Sequence, residues 1–140
     1  MKPEKPTHLY HGSVTQNIKV LEPRHRYSPA GKIDYGAIYA TPLKGYAATH
    51  SFPWSSADGV GLDVIEGVVS ISVPAKLRER LLVPISIYKI SSENFNFTEE
   101  EVSGQTWHST TPTPVIEEIR YPDVETAFKE LGVVFEYTPS

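Results

Sequence analysis

The chain has 140 residues, of which 39% are hydrophobic and 21% are charged, and its formal net charge is -4. This size and composition predict one folded domain over residues 1–140. The acidic balance argues against a protein that binds nucleic acid through a basic surface. The absence of cysteine excludes disulfides, thiolate nucleophiles and cysteine-based zinc sites. Without a long apolar stretch or a signal-like start, the sequence leads us to expect a cytoplasmic protein that does not enter the membrane.

Twelve prolines and nine glycines divide the chain into short predicted elements, which are given first for residues 1–61. Thr41 suits the N-cap of a helix and Pro42 its first turn, and Pro53 ends that helix. The expected elements are a strand at 8–11, an extended piece at 18–21, a loop at 23–34, a strand at 36–41, a helix at 43–52 and a flexible loop at 55–61.

The rest of the chain is richer in predicted strands. Asp123 is a good N-cap and Gly132 a good stop for a helix between them. The expected elements are strands at 67–73, 84–90, 104–109, 115–121 and 133–137, helical turns at 75–81, a turn at 93–97, a solvated acidic run at 99–101 and a helix at 124–131. Runs of strands without regular alternation predict an α+β fold with two or three short helices.

The histidines do not have the spacing of a metal site. His8 and His11 lie three residues apart on a predicted strand, so their side chains face opposite sides. No HExxH pattern, glycine-rich phosphate loop or GxSxG elbow is present. We therefore expect no bound metal.

The segment His11-Gly12-Ser13 is the first candidate for chemistry. A histidine at a strand end can bond a ribose hydroxyl, and a following glycine lets backbone donors approach a ligand closely. The serine hydroxyl can bond an amide. The alternative is a turn at a strand end, with the histidine packed against its neighbours.

The predicted strand before the first helix is the second candidate. Alternation places Tyr39 and Thr41 on one face and Ile38 and Ala40 on the other. Tyr46 follows on the helix, so two aromatic rings could flank a flat heteroaromatic ligand. The alternative is that both tyrosines belong to the core.

Together, the segments LYHGS, LEPR and AIYATPLKGYA resemble the ADP-ribosyltransferase fold of the diphtheria-toxin and poly(ADP-ribose) polymerase class. They are also similar to small bacterial and phage-type proteins with this fold. The resemblance covers about the first fifty residues. It implies a split pair of mainly antiparallel sheets, a His-Tyr-Glu triad, and NAD as the substrate, with no metal.

The resemblance also implies a role for each matching position. His11 would bond the adenosine-side ribose, and the Gly12 backbone with Ser13 would hold the nicotinamide carboxamide. Tyr39 and Tyr46 would sandwich the nicotinamide ring, with Thr41 beside Tyr39.

Two further segments have two interpretations each. Arg24, with His25 and Arg26, could meet the NAD pyrophosphate, because arginine pairs well with phosphate oxygens. The same loop could equally be a solvated cover. Trp54 could line the cleft or simply anchor the end of the helix.

The third position of the triad departs from the family pattern. Where the late-strand glutamate is expected, the chain has Gln105, which would share a strand face with Trp107 and Ser109. A glutamine can bond ribose hydroxyls but supplies no negative charge to offset the cationic sugar. The carboxylates that could replace it, each of which could also be solvated surface, are Glu101, Glu117, Glu118 and Glu136.

The expected function is therefore NAD binding, with ADP-ribosyl transfer to an acceptor such as a protein, or NAD hydrolysis, at His11, Tyr39 and Gln105. The alternative is a non-catalytic module that binds a nucleotide or another protein on the same fold. A third hypothesis is RNA 2′-phosphotransferase chemistry. Tyr39, where that chemistry would want a second histidine, and the net charge of -4 count against it.

Overall fold

The computed structural model describes residues 4–23, 37–98 and 105–139 of the chain. These residues form an α+β fold with mainly antiparallel sheets and short helices, as the sequence predicts. The elements are β1 (His8–Ser13), β2 (Val20–Leu21), β3 (Ile38–Ala40), α1 (Lys44–Thr49), β4 (Gly61–Ile65), β5 (Val68–Pro74), β6 (Ile85–Ser91), β7 (Asn96–Phe97), β8 (Trp107–Ser109), β9 (Thr113–Tyr121), α2 (Val124–Glu130) and β10 (Val134–Thr138), with 3-10 turns at Ser56–Asp58 and Ala75–Leu81.

The central sheet is antiparallel and has the strand order β1-β6-β9-β2. Its interior strand β6 carries the alternating sequence ISIYKIS, and Ile85 and Ile87 are fully buried. β1 pairs along its whole length with β6, so that His11 lies opposite Tyr88 and Ser13 opposite Ser86. This pairing fixes which face of the sheet each β1 side chain occupies.

A second sheet has the order β10-β5-β4, in which β10 runs parallel to β5. The β4–β5 hairpin turns at Glu66 and Gly67, with φ of 52° and 79° respectively. Two central residues with positive φ match the right-handed twist of the flanking strands. The strand β4 is absent from the elements predicted above, because its Gly-Leu-Asp-Val-Ile sequence mixes weak and strong strand formers.

The third sheet is small and has the order β3-β8-β7. Tyr10, on the outer edge of β1, exchanges two backbone hydrogen bonds with Thr41 just after β3, at 2.7 and 3.0 Å. This bridge joins the third sheet to the edge of the central one.

Two hydrophobic clusters pack on opposite faces of the central sheet. One joins α1, α2, β5 and β6 and contains Phe52 and Phe128; the other joins β1, β3, β6 and β8 and contains Phe95 and Trp107. The first contains Ile87 and the second Tyr88, which are neighbours on β6. The sheet therefore forms a wall shared by both cores.

The predictions for the two helices have different outcomes. α2 begins as predicted, because the Asp123 carboxylate accepts a hydrogen bond from Thr126 N at 2.7 Å, and Gly132 follows it with φ of 71°. The prediction that Thr41 caps α1 is wrong. The N-cap position is Leu43, whose apolar side chain makes no capping bond. The Thr41 carbonyl accepts a hydrogen bond from Tyr10 N, so it is not the acceptor of the first helical bond, which goes to Leu43.

Several predicted boundaries also need correction. α1 ends at Thr49, before the predicted residue 52, because His50 and Ser51 make tighter bonds to Ala47 O and Ala48 O. The predicted loop at 55–61 contains a 3-10 turn, and the predicted turn at 93–97 ends in β7. The predicted loop at 23–34 lies largely outside the described residues, and the acidic run at 99–101 lies wholly outside them.

Within the described part of the chain, no helix has both the length and the apolar character needed to cross a membrane.

Candidate functional site

A side-chain contact joins the two segments that the sequence singles out. The His11 Nδ1 atom lies 2.7 Å from the backbone carbonyl oxygen of Tyr39. Since a carbonyl oxygen only accepts, Nδ1 carries the proton and donates it. In the neutral imidazole, Nε2 is then the acceptor nitrogen. The hydrogen bond therefore fixes both the position of the ring and its tautomer.

The backbone of Gly12 lies on the edge of β1 that faces away from β6. At that edge, the Tyr10 amide and carbonyl are both hydrogen-bonded to the backbone of Thr41. Because these groups alternate along an antiparallel strand, those of Gly12, two residues on, point to the same side. The bridge to β3 ends at Thr41, so the edge at Gly12 lies beside the point where the two sheets separate.

The glycine at position 12 has a structural cause that local sequence patterns do not reveal. A Cβ atom at Gly12 would lie 2.2 Å from the Ala47 carbonyl oxygen and 3.0 Å from its carbon. The face that a side chain would occupy is therefore filled by α1, not open to a ligand. The sequence predicts that a ligand approaches Gly12 closely because no Cβ is in the way, and this reason is wrong for the face that α1 covers. A ligand could approach Gly12 only along its backbone edge.

Ser13 ends β1 and is half-buried. Its hydroxyl oxygen accepts a hydrogen bond from Thr15 N at 3.0 Å, which tightens the turn that follows the strand. The hydroxyl retains its proton for a second bond, so it can still donate to a ligand acceptor.

The aromatic pair predicted to hold a flat ring is not arranged as a sandwich. Tyr39 is half-buried, whereas Tyr46 is only 3% exposed and belongs to the core. The Tyr46 ring packs on His50 at a centroid distance of 4.7 Å. Thr41 is also buried, and its hydroxyl accepts a bond from Leu43 N at 3.2 Å. Of these three predicted ligand contacts, Tyr39 has the most accessible side chain.

The contacts of Trp54 agree with the interpretation that it anchors the end of the helix. Its indole Nε1 donates to the Thr49 carbonyl at 2.6 Å, and its ring lies 5.7 Å from that of His50. These contacts tie the segment after α1 back onto the helix.

The late strand β8 places a different residue beside Tyr39 from the one predicted. His108 is the direct antiparallel partner of Tyr39, and the two ring centroids are 6.3 Å apart. Gln105 is half-buried and precedes the first residue of β8, Trp107. The signal was available in the sequence: if Trp107 and Ser109 face the core, His108 must face the other way.

Glu118, one of the four carboxylates considered for the third position, is bound within the protein. It accepts bonds from the Ser86 hydroxyl at 2.5 Å and Asn17 N at 3.1 Å, and pairs with Arg120 Nε at 3.2 Å. Burial alone raises the pKa of the Glu118 carboxyl, but these donors and the guanidinium outweigh it and hold that pKa below its ordinary value. This carboxylate holds the segment after β1 on the central sheet.

Strand pairing does not bring Glu117 or Glu136 to Tyr39. Glu117 is exposed on β9, and Glu136 is exposed on β10 in the second sheet. Glu101 lies outside the described residues, as does the predicted pyrophosphate contact Arg24 with its neighbours His25 and Arg26.

A groove of about 480 Å³ opens one residue beyond Ser13. Its charged member is Arg80, whose guanidinium already donates to the Pro53 carbonyl at 3.1 Å and to Asp58 at 3.2 Å. The groove is lined by Val14, Gln16, Pro53, Arg80, Val83 and Pro84. The guanidinium of Arg80 is thus used to hold the turn before β4.

The described residues contain no group of three or more histidine or carboxylate side chains that could hold a metal ion. No protein-family model matches the sequence, and no curated protein or solved structure is significantly similar to the chain.

Proposed function

We propose that this chain is an ADP-ribosyltransferase-like protein that binds NAD, or a nucleotide containing ADP-ribose, where β1 and β3 separate. The observation that carries the proposal is the 2.7 Å hydrogen bond from His11 to the Tyr39 carbonyl. It joins the two motifs on which the resemblance rests, which are separated by 28 positions in the chain.

Each nearby group suits one part of such a ligand. The acceptor Nε2 of His11 matches a ribose hydroxyl. The amide and carbonyl of Gly12 offer one donor and one acceptor at a strand edge, the pattern that a carboxamide complements. The half-buried Tyr39 ring offers a surface on which a flat heteroaromatic group can pack.

Cleavage of bound NAD would break the bond between the ribose C1′ and the nicotinamide nitrogen. The bonding electrons leave with the nicotinamide and positive charge develops on the sugar. Water or an acceptor hydroxyl then bonds to C1′ and releases its proton to solvent. Catalysis then depends on a negative charge placed near the sugar.

A non-catalytic nucleotide-binding module is the second candidate function. It is favoured by the placement of the three described glutamates that we considered for the third position. Glu118 is bound to its own neighbours, while Glu117 and Glu136 are exposed on strands that do not pair with β3.

The test is to titrate the protein with NAD and with ADP-ribose by calorimetry and, in parallel, to measure nicotinamide release from NAD. We expect His11→Ala and Tyr39→Ala each to weaken binding by about tenfold or more. A change of this size is what the loss of one or two good hydrogen bonds, or of a ring contact, would cause. His8→Ala is the matched control, since His8 is exposed near the start of the same strand.

The outcomes separate the two candidates. Binding with nicotinamide release supports the enzyme, and binding without release supports the non-catalytic module. If neither nucleotide binds to the folded wild-type protein, both are rejected. Thermal melts of each variant establish that it is folded.

A further inference from the structure

We propose that His108 is a ligand-binding residue of this site and that it bonds a ribose hydroxyl in the place predicted for Gln105. The inference rests on the proposed nucleotide binding, but it assigns a residue that the resemblance does not.

The pairing of β3 with β8 determines which side chains share a face. Residues directly opposite on antiparallel strands point to the same side, with Cβ atoms about 5 Å apart. Tyr39 is opposite His108, so both side chains lie on one face of the third sheet. The rings are tilted by 43° with their centroids 6.3 Å apart, close enough for one ligand to touch both.

The burial of the residues around His108 agrees with this orientation. Trp107 and Ser109 are 5% and 1% exposed, and their partners Ala40 and Ile38 are also buried. The opposite face of β8 is therefore in the core. His108, which is half-buried, is the β8 residue on the face that carries Tyr39.

A hydrogen bond to Thr98 orients the imidazole of His108. The Thr98 hydroxyl lies 2.8 Å from His108 Nδ1, and Thr98 is itself only 5% exposed. The Thr98 amide bonds the Thr106 carbonyl at 2.9 Å, so the threonine is anchored to the chain just before β8. With Nδ1 directed at Thr98, Nε2 is the ring nitrogen through which His108 would bond a ribose hydroxyl.

The chemistry of this group differs from that of a carboxylate. An imidazole can donate to or accept from a ribose hydroxyl, but it carries no negative charge in either protonation state. It therefore contributes to binding the sugar without offsetting the positive charge that develops when NAD is cleaved. A carboxylate at position 108 would supply that charge, and the Thr98 hydroxyl could donate to it as well.

The first test measures the affinity for ADP-ribose. We expect His108→Ala to weaken binding by about tenfold and His108→Gln, which keeps a hydrogen-bonding side chain, to stay within about threefold of wild type. Gln105→Ala and Asn96→Ala are the matched controls and are expected to bind as wild type does. Asn96 is the partner of His108 on β7, one strand further from Tyr39.

The second test measures nicotinamide release from NAD by His108→Glu and Gln105→Glu. Faster release by the first variant alone supports the assignment, whereas faster release by the second alone overturns it. Wild-type affinity of a folded His108→Ala protein, or a loss of affinity in Gln105→Ala alone, also overturns it. If the wild-type protein binds neither nucleotide, it is the proposed function itself that fails.

Discussion

On β1, the His11 side chain points to one face of the central sheet, and any side chain at position 12, which is a glycine, would point to the other face. The His11 imidazole points away from α1 and bonds the Tyr39 carbonyl at 2.7 Å. The backbone of α1 packs against Gly12, and the Ala47 carbonyl oxygen lies 2.2 Å from the position that a Cβ atom on residue 12 would take. The histidine thus fixes the relation of β1 to β3, and the glycine fixes its relation to α1.

We predict that Gly12→Ala lowers the free energy of unfolding by about 1–3 kcal/mol, the usual cost of overpacking. The new methyl group meets backbone atoms of α1, which can yield only if the helix shifts. Equilibrium unfolding in urea measures the change. Gly61→Ala is the matched control, because its Cβ meets only the Ser72 hydroxyl, which can rotate away. Equal stability of Gly12→Ala and wild type would contradict the close packing of α1.

At the scale of elements, the connection between β1 and β2 is fastened across one face of the central sheet. The Tyr88 hydroxyl donates to the Thr15 carbonyl at 2.6 Å, and Glu118 accepts from Asn17 N at 3.1 Å. Asn17 has a φ of 65°, a backbone conformation that asparagine tolerates better than most residues. These bonds hold the connection over the row formed by His11, Tyr88 and Glu118.

We predict that Glu118→Gln destabilises the protein at neutral pH by about 1–3 kcal/mol, because charge-assisted bonds are lost at a side chain only 14% exposed. The pKa of this carboxyl is lower in the folded than in the unfolded chain, where it is near 4.5. Its stabilisation is therefore present above that pH and is lost as the pH falls through the lower pKa of the folded state.

Urea unfolding of both proteins between about pH 7 and pH 3 tests this linkage. The difference in stability between wild type and Glu118→Gln should narrow as the pH falls. Glu117→Gln, at the exposed neighbouring position, should follow wild type throughout. A difference that stays constant with pH would show that the ionised carboxylate is not what stabilises the connection.

At the scale of the whole molecule, two cores share the central sheet as a common wall. Phe128 lies in the core on the α1 and α2 side, and Phe95 in the core on the β3 and β8 side; both are 1% exposed. Because β6 contributes side chains to both cores, unfolding of one core should destabilise the other core. This is the structural basis on which we expect a single cooperative domain.

We predict that Phe128→Ala and Phe95→Ala each lower the free energy of unfolding by about 3–5 kcal/mol. Each variant should unfold in a single transition that coincides by tryptophan fluorescence and by circular dichroism. The smaller deletions Phe128→Leu and Phe95→Leu should cost less. Two separate transitions in either alanine variant would mean that the two sides fold independently.

Local patterns in the sequence predict much of the fold. The strands β6 and β9 and the Asp123 cap of α2 are determined by neighbouring residues, and the predictions of these elements are confirmed. The prediction of Thr41 as a cap is wrong because a backbone bridge to Tyr10, 31 positions earlier, competes with the helix. β4 is absent from the predicted strands because its sequence mixes weak and strong strand formers, so that its pairing with β5 decides that it is a strand.

For the site, the sequence by itself determined which residue types are available: a histidine, a glycine edge and a tyrosine on two strands. Their functions remain predictions. Only the tertiary structure decided that His11 bonds Tyr39, that α1 fills the space at Gly12, and that His108 lies opposite Tyr39. The physical reason is that strand alternation follows from neighbouring residues, whereas register and sheet separation depend on strands that lie far apart in the chain.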